Sequence, residues 1–343
     1  MRIIISRTDS IGDVVLTLPV AAVLKQSFPG CTVIFLGRNY TRAVIEACGH
    51  VDQFAGWDLP PTGDPSPGKK RDEEVKLIAG LNADVILHVF PVKEICKVAK
   101  EVGIPVRIAT ARRLYTWFTC NRLLHIPRRN STLHEAQLNL KMLKPLGIDR
   151  DFSLEEISGM YGLSPGHPGN RLNIKNYELT GDSGNKRFRL ILHPKSKGSA
   201  REWGLENFSE LIGLLPADRF EILVTGTRDE GAMMPGFLQK HQDRIVDLTG
   251  KLSLPECISL IAASDGLVAA STGPLHLAAA LGIRAVGLYA PMRPIFPQRW
   301  APVGRNATFL VSDKTCSDCR KTMDCACIRS IKPEDVVEKL ESR

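Results

Sequence analysis

Residues 3–36 read IIISRTDSIGDVVLTLPVAAVLKQSFPGCTVIFL and contain a strand, a loop, a helix and a second strand. Ile3–Ile5 and Thr32–Leu36 are short, apolar and largely β-branched, which is typical of buried strands. Between them, Val14–Phe28 has the length and the period of a helix. This order of elements predicts a βαβ unit with parallel strands.

The alternation of strands and helices continues on both sides of one interruption. Before it, strands are predicted at Val85–His88 and Val106–Ile108, and helices at Thr41–Cys48, Asp72–Leu81, Val92–Val102 and His134–Leu146. After it, strands are predicted at Phe188–Leu192, Glu221–Val224, Gly266–Ala269 and Ala285–Leu288, and helices at Leu205–Leu215, Leu254–Ala263, Leu275–Leu281 and Pro333–Ser342. The sequence therefore predicts the α/β class, with two doubly wound, Rossmann-like domains facing each other across a cleft.

The interruption lies between about residues 159 and 186, where glycine, proline, asparagine and serine dominate and neither period survives. We therefore predict an N-terminal domain at 1–160, a linker at 161–187, a C-terminal domain at 188–330 and a final helix at 331–343. A length of 343 residues fits two domains, at roughly 100 to 200 residues each.

The composition is that of a globular protein, with 43% hydrophobic and 24% charged residues. This composition excludes a disordered chain. The sequence has no run of about 18 apolar residues and therefore does not indicate a membrane span. The opening residues, MRIIISRTDS, hold an apolar run too short for a signal-peptide core. The nine cysteines are scattered and odd in number, unlike a secreted disulfide framework. We therefore expect reduced thiols and a cytoplasmic location.

Lysine and arginine number 45 against 37 acidic residues, which gives a formal net charge of +8. This balance favours an anionic partner and leaves nucleic acid, anionic lipid and phosphorylated metabolites open. Neither G-x-G-x-x-G nor G-x4-G-K-[ST] occurs, so the sequence does not indicate the usual dinucleotide or P-loop sites.

One acidic candidate lies in the first loop, Arg7–Asp13, which joins a strand directly to a helix. Gly12 permits a close approach of another molecule, and Asp13 begins the helix near the predicted cleft. The alternative is a purely structural role, because an acidic side chain at a helix N-terminus is stabilised by the helix dipole.

Two loops of the second half are candidates for binding an anion. The loop at 193–203 is basic and polar, and its candidate phosphate ligands are Lys195, Ser196, Lys197 and Arg201. A helix follows the strand at 266–269 and can offer open N–H groups to a diphosphate; its candidate residues are Ser271, Thr272, Gly273, Pro274, Leu275 and His276. The alternatives are a solvated basic loop and, for His276, a packing or capping role.

Two further segments carry recognisable residue types. The stretch 112–122 interleaves aromatic side chains with Arg112, Arg113 and Arg122, and could meet anionic lipid, a phosphorylated glycan or single-stranded nucleic acid, or form a solvated helix face. Four late cysteines are numerous enough for a tetrahedral zinc, although reduced structural cysteines are the simpler interpretation and no metal is expected; they are Cys316, Cys319, Cys325 and Cys327.

Four blocks of the sequence, taken together and in order, resemble the lipopolysaccharide heptosyltransferases of glycosyltransferase family 9. They are SRTDSIGDVVLTLP at 6–19, HEAQLNLKMLKPLG at 134–147, the loop that contains Trp203, and STGPLHLAAALG at 271–282. The resemblance implies a GT-B fold with an acceptor-binding N-terminal domain, a nucleotide-sugar-binding C-terminal domain and a last helix that crosses back to the first domain.

The resemblance also implies an activity: metal-independent, inverting transfer of heptose from ADP-L-glycero-D-manno-heptose to the inner core of lipid-anchored lipopolysaccharide. Asp13 matches the general base, and Arg201 stands where the family usually has a phosphate-binding lysine. We assign Gly12, Arg112, Arg113 and Arg122 to the acceptor side, and we expect peripheral contact with the anionic inner membrane and no nucleic acid. The alternatives are a family 9 transferase with another donor or acceptor, and a non-catalytic binder of nucleotides or anions.

Overall fold

The computed structural model describes residues 1–58, 67–128, 131–164, 173–174, 177–178, 187–292, 296–312 and 325–342. The chain divides into two compact units, Met1–Ser164 and Pro165–Arg343. Each unit is built on a six-stranded sheet whose strands are all parallel, with helices between them. The predicted α/β class with two doubly wound sheets is confirmed.

The first unit alternates strands with helices, and its sheet has the order β3-β2-β1-β4-β5-β6. Its strands are β1 (Arg2–Ser6), β2 (Thr32–Gly37), β3 (Gln53–Gly56), β4 (Val85–His88), β5 (Val106–Thr110) and β6 (Arg122–Leu124). Its helices are α1 (Ile11–Val15), α2 (Leu18–Ser27), α3 (Arg42–Glu46), α4 (Pro67–Gly80), α5 (Lys93–Glu101), α6 (Leu114–Thr119), α7 (Glu135–Leu140) and α8 (Leu154–Ser158), with 3-10 turns at Asn39–Thr41 and Lys141–Leu146.

The second unit repeats this strand order as β11-β10-β9-β12-β13-β14. A hairpin of β7 (Asn173–Ile174) and β8 (Tyr177–Glu178) precedes β9 (Phe188–His193), β10 (Phe220–Val224), β11 (Ile245–Asp247), β12 (Gly266–Ala270), β13 (Arg284–Tyr289) and β14 (Ala307–Val311). The helices are α9 (Leu205–Leu214), α10 (Arg228–Ala232), α11 (Pro235–Lys240), α12 (Leu254–Ala262), α13 (Gly273–Ala280), α14 (Pro297–Trp300), α15 (Ala326–Arg329) and α16 (Pro333–Glu341).

In both sheets the strand order reverses direction at one point, between β1 and β4 in the first and between β9 and β12 in the second. The loops that leave the carboxyl ends of these two strands run to opposite sides of the sheet and open a crevice there, which is where such folds bind ligands. We call these two places the first and the second switch point.

The sequence pattern finds the four inner strands of each sheet and misses the four outer ones, β3, β6, β11 and β14. The inner strands are almost fully buried, whereas the outer ones consist mostly of half-buried residues. An apolar run marks a strand covered on both faces, and edge strands lack that run.

The helix predicted at Val14–Phe28 is wrong as a single element, because the structure has two helices, α1 and α2, in its place. Pro19 stands in the first turn of α2, where its missing N–H leaves no hydrogen bond unmade. Inside one long helix the same proline would clash with the preceding turn. At the break, Thr17 Oγ1 donates to the Asp13 carbonyl at 2.8 Å, which ties α2 to the acidic residue of the first loop.

The linker proposed at 161–187 begins inside the first unit. Tyr161 is buried, Leu163 forms a β-bridge with Cys48, and the Ser164 N–H donates to the Ala47 carbonyl at 3.0 Å. Residues 165–172, 175–176 and 179–186 lie outside the described residues.

The last helix, α16, packs on α9 of the second unit. That it crosses back to the first domain stays a prediction. Its side chains Val336 and Leu340 belong to the same buried cluster as Trp203. The indole Nε1 of Trp203 also donates to the Ile331 carbonyl at 2.9 Å, just before the helix. Among the helices of the described ranges, none has the length and apolarity that crossing a bilayer requires.

Candidate functional site

The first switch point is organised around Arg7, the residue after β1, which is only 2% exposed. Its Nε donates to Asp9 Oδ1 at 2.6 Å, and its Nη2 donates to Asp13 Oδ1. Ser10 Oγ donates to the other carboxylate oxygen of Asp13. The Asp13 carboxylate, 17% exposed, is therefore held at both oxygens in the first turn of α1.

Helix α7 supplies a second layer to this network. Glu135 and Asn139 are four residues apart, so their side chains lie on one face of the helix, and Arg7 Nη1 is 3.4 Å from an oxygen of each. Arg128 Nη1 donates to Glu135 Oε1 and, at 3.0 Å, to Asn139 Oδ1. The Asn139 amide donates to the Leu16 carbonyl at 3.0 Å, which ties α7 to the end of α1.

In this network two guanidinium groups, Arg7 and Arg128, face three carboxyl groups, Asp9, Asp13 and Glu135. Burial alone would lower the pKa of Arg7, but the carboxylates outweigh burial and raise it, so Arg7 stays charged. Burial raises the pKa of Asp9 to about 6, with the Asp13 charge adding to the shift and Arg7 opposing it. With all five of these groups ionised, this described part of the network has one excess negative charge, which favours the uptake of a proton.

Sequence reasoning placed Gly12 and Asp13 in the first loop, and the structure places both in α1, with Gly12 buried. It missed Arg7, Asp9 and Glu135 as parts of the same network. Two signals were available in the sequence: an arginine directly after a buried strand, and a carboxylate and an amide four residues apart in the 134–147 block.

The loop after β9 reaches the second switch point. Lys195 Nζ donates to Glu202 Oε2 at 2.8 Å, and Ser196 donates to Glu202 Oε1 through its N–H at 3.1 Å and its hydroxyl at 3.3 Å. Lys197 is exposed, with its Nζ 3.9 Å from Asp229 Oδ2, and Arg201 is half-buried. Lys195, predicted as a phosphate ligand, thus has a carboxylate partner that the sequence analysis did not anticipate.

The second element at this switch point is the start of α13. Because Ala269 of β12 is the register partner of His193 of β9, the two loops leave neighbouring strands at the same sheet edge. Thr272 is the N-cap residue, yet its side chain makes no capping hydrogen bond. Its Oγ1 is buried and has no hydrogen-bond partner within the part of the chain that the structure describes.

The remaining candidates of this helix differ in what they expose. Leu275 and His276 are buried, whereas Gly273 and Pro274 are half-buried. Because the Leu275 side chain belongs to the core, only the backbone N–H of this residue can bind a ligand. Ser271 hydrogen-bonds to Tyr289; burial raises the pKa of that tyrosine, and the Ser271 bond opposes the shift.

The three acceptor-side arginines, Arg112, Arg113 and Arg122, are exposed and flank α6. On this helix three large apolar side chains are also exposed: Leu114 at 77%, Trp117 at 61% and Phe118 at 69%. Of the late cysteines, Cys325 and Cys327 are buried, whereas Cys316 and Cys319 lie outside the described residues, so the structure does not test a four-thiolate site.

The chain is similar to several known proteins. The family model of glycosyltransferase family 9 (heptosyltransferase) matches residues 98–327. A Haemophilus influenzae protein whose name describes it as a glycosyltransferase is 26% identical over 304 residues, 88% of this chain and 86% of that one. Lipopolysaccharide heptosyltransferase 3 of Escherichia coli is 21% identical over 299 residues, 84% of this chain and 82% of that one.

The fold is also that of a solved relative. The structure of E. coli ADP-heptose lipopolysaccharide heptosyltransferase II has a TM-score of 0.78 to this chain at 18% identity, and the match covers 99% of this chain and 97% of that one. The family model covers more than half of the chain, and relatives and fold agree with it. This protein therefore belongs to glycosyltransferase family 9 and is a glycosyltransferase.

Proposed function

We propose that this protein is an inverting heptosyltransferase that moves heptose from ADP-L-glycero-D-manno-heptose to the inner core of lipopolysaccharide, with Asp13 as the general base. The observation that carries the proposal is the Asp13 carboxylate, fixed by Arg7 and Ser10 at the first switch point yet partly exposed. The names of the relatives, which include heptosyltransferases of lipopolysaccharide, support the substrate class.

The chemistry of Asp13 follows from its surroundings. As an acceptor hydroxyl attacks the anomeric carbon, its proton passes to the Asp13 carboxylate and the ADP diphosphate leaves from the opposite face, so the anomeric configuration inverts. Among the ion pairs of the described residues, the network around Arg7 has one carboxyl group more than it has guanidinium groups, which favours proton uptake by Asp13. Arg7 and Ser10 hold the carboxylate in one orientation, which lowers the entropic cost of the step.

The second switch point suits the departing diphosphate. Negative charge grows on the leaving group, and preorganised N–H donors and cations stabilise such charge most effectively. The first turn of α13 offers the N–H groups of Gly273 and Leu275, because Pro274 has none, and the hydroxyl of Thr272 lies beside them. We propose that Lys197, Arg201 and His276 add to this site and that Lys195 and Ser196 shape its loop through Glu202.

The test compares Asp13→Asn with wild-type protein in a transfer assay with ADP-heptose and a lipopolysaccharide core acceptor. Asparagine keeps the shape and one hydrogen-bond acceptor but cannot take the proton, so we expect kcat to fall about 100-fold to 10,000-fold. ADP should still raise the melting temperature as it does in the wild type, because the donor site lies in the other unit.

Two outcomes would contradict parts of this proposal. Full activity in Asp13→Asn would remove the base from Asp13, and selective stabilisation by UDP, GDP or CMP rather than ADP would move the donor to another nucleotide sugar. No stabilisation by any of these nucleotides, together with no transfer, would favour the non-catalytic binder.

We also propose that α6 brings the protein to the lipid-anchored acceptor, at the cytoplasmic face of the inner membrane. Leu114, Trp117 and Phe118 occupy positions i, i+3 and i+4 and share one exposed helix face, with Arg112 and Arg113 at its start. Apolar side chains beside arginines fit the boundary between acyl chains and anionic head groups.

Vesicle sedimentation tests this contact with the full chain. Wild-type protein should bind vesicles that contain anionic lipid. Its binding to purely zwitterionic vesicles should be at least several-fold weaker. Trp117→Ser/Phe118→Ser should lose most of the binding, while Met233→Ser, an exposed apolar residue of the second unit, should bind as the wild type does. Equal binding by the double variant would remove α6 from the contact.

A further inference from the structure

Three side chains with metal-binding atoms meet inside the first unit, and none of them belongs to the network around Asp13. His88 ends β4, Cys96 lies on α5, and Cys120 directly follows α6. One ring nitrogen of the histidine and the two sulfurs all lie within 4.8 Å of one another. His88 and Cys96 are fully buried, and Cys120 is 8% exposed.

The histidine is unusual for a buried polar side chain. Neither of its ring nitrogens has a hydrogen-bond partner of normal length within the described ranges, although most buried polar groups in proteins are paired. Ser6, the register partner of His88 on β1, has a buried hydroxyl in the same condition. An imidazole that lies in an apolar core, close to two thiols, is arranged as a ligand would be.

We propose that His88, Cys96 and Cys120 form a zinc site. Imidazole nitrogen and thiolate sulfur are the donors that Zn²⁺ takes in proteins, at about 2.1 Å and 2.3 Å, so ligand atoms around one ion are separated by roughly 3.5 to 4 Å. The three atoms here are within about one ångström of that spacing, which side-chain rotation supplies. Hard cations such as Mg²⁺ and Ca²⁺ prefer oxygen ligands and do not fit this set.

The surroundings of the cluster agree with this chemistry. Thr119 Oγ1 lies 3.8 Å from Cys120 Sγ, as a polar neighbour that can orient the sulfur. Three protein ligands leave one position of a tetrahedron for water or a neighbouring oxygen.

The site lies directly beneath the first switch point. His88 and Ser6 are the last residues of β4 and β1, and Arg7 and Val89 follow them. The Val89 N–H donates to the Ser6 carbonyl at 3.1 Å, and Arg128 Nη2 donates to the Val89 carbonyl at 3.3 Å. A zinc ion here would join β4, α5 and the segment after α6, and would thereby stiffen the base of the loop that holds Asp13.

The experiment measures zinc per chain in full-length protein that was loaded with Zn²⁺ under reducing conditions and dialysed against metal-free buffer. Cys96→Ser/Cys120→Ser should retain about one zinc fewer than wild type. Cys31→Ser/Cys48→Ser removes two other buried thiols of the same unit, and this matched control should retain the wild-type amount. Zinc on the late cysteines cancels in the difference, and equal zinc in all three proteins would overturn the proposal.

A second measurement needs no variant and covers the case in which the double variant does not fold. X-ray absorption at the zinc edge of the wild-type protein should show imidazole nitrogen together with sulfur. A shell of sulfur alone, no retained zinc, or a disulfide between Cys96 and Cys120 in the zinc-treated protein would each overturn the site. None of these results depends on the heptosyl donor, so they leave the proposed transfer reaction untouched.

Discussion

The two switch points have the same strand order but opposite chemical character. The first holds a buried ionic network in which Arg7 is surrounded by carboxyl groups. The second has a basic loop, whose Lys197 is exposed, and a helix start where the buried Thr272 hydroxyl has no hydrogen-bond partner among the described residues. One sheet topology therefore carries a buried ionic network, which we propose accepts a proton, in one unit and a loop and helix start, which we propose bind an anion, in the other, because function depends on the residues placed at the crevice.

The comparison also separates two ways of holding charge. The charged side chains of the first site share partners in one network of ion pairs. Their positions are therefore fixed, and removing one of them should lower the free energy of unfolding strongly. The cations of the second site are nearer the surface, where each pair contributes little to stability and a ligand can replace the partner. We therefore expect mutations at the first site to affect stability and those at the second site to affect ligand binding.

The largest expected effect is that of Arg7→Met. Removing this guanidinium leaves the buried Glu135 and the half-buried Asp9 and Asp13 without their shared cation, which should cost about 3 to 5 kcal/mol in the free energy of unfolding at pH 7.5. Urea unfolding followed by circular dichroism measures the loss. The loss should shrink as the pH falls, because protonated carboxyl groups no longer need the guanidinium.

The matched change at the second site is Lys197→Met. Its ion pair is long and exposed, so the free energy of unfolding should change by less than about 0.5 kcal/mol. Similar losses of stability in the two variants would show that both switch points hold charge in the same way. This result would contradict the difference that we expect between the two sites.

An intermediate effect is expected for Thr272→Val, which keeps the shape of the side chain and removes its hydroxyl. Because Oγ1 is buried without a described partner, stability should stay the same or rise by up to about 1 kcal/mol. A hydrogen bond to a charged phosphate contributes about 1.5 to 3 kcal/mol, so ADP affinity should fall roughly 10-fold to 100-fold in calorimetry.

The control for Thr272→Val is Thr225→Val in the same unit. The hydroxyl of Thr225 lies 3.1 Å from His193 Nδ1, so its removal should lower stability by about 1 kcal/mol. If Thr272→Val destabilises the protein and leaves ADP affinity unchanged, the hydroxyl serves the fold rather than the ligand.

The smallest expected effect concerns pH. The pKa of Asp9 is about 6, so below that pH the group takes up a proton and no longer shares Arg7. Arg7 then pairs more strongly with Asp13, and the network loses the negative charge that favours proton uptake from the acceptor, so kcat/KM should fall several-fold as the pH decreases from 7.5 to 5.5. In Asp9→Asn the rate should be low already at pH 7.5, and this decline should be absent from the pH profile.

The matched control for Asp9→Asn is Asp58→Asn, an acidic residue whose carboxylate hydrogen-bonds to Asn39. Its pH profile should follow the wild type. A decline near pH 6 that persists in Asp9→Asn would assign that titration to another group.

The fold was predictable to the extent that burial leaves a pattern. Inner strands such as Ile3–Ile5 are continuous apolar runs, whereas β6 and β11 are half exposed and carry no such run. The α-helical break at Thr17 could have been anticipated from Pro19, which fits a helix start better than a helix interior. Sequence patterns therefore identify the strands that are covered on both faces and give little indication of the edge strands.

The candidate site was predictable only in part, for a related reason. Asp13 is identified by its place in a strand–loop–helix motif, which is local in the sequence. Glu135 and Arg128 belong to the network of ion pairs around Asp13. They are more than a hundred residues away in the sequence and join this network only in the folded protein. His88, Cys96 and Cys120 are closer in the sequence, at separations of 8 and 24 residues, but this spacing resembles no metal motif.

The contact between Trp203 and Ile331 has a consequence for the order in which the protein matures during synthesis. The first unit ends at Ser164 and can complete its core while the rest of the chain is still being translated. The second unit cannot, because Trp203, in the loop after β9, donates to the Ile331 carbonyl just before α16. Trp203 also packs in the same buried cluster as side chains of α16, the last helix of that unit. We therefore expect the nascent chain to complete first the unit that carries the proposed general base, and to complete the unit with the proposed anion site only when α16 has left the ribosome.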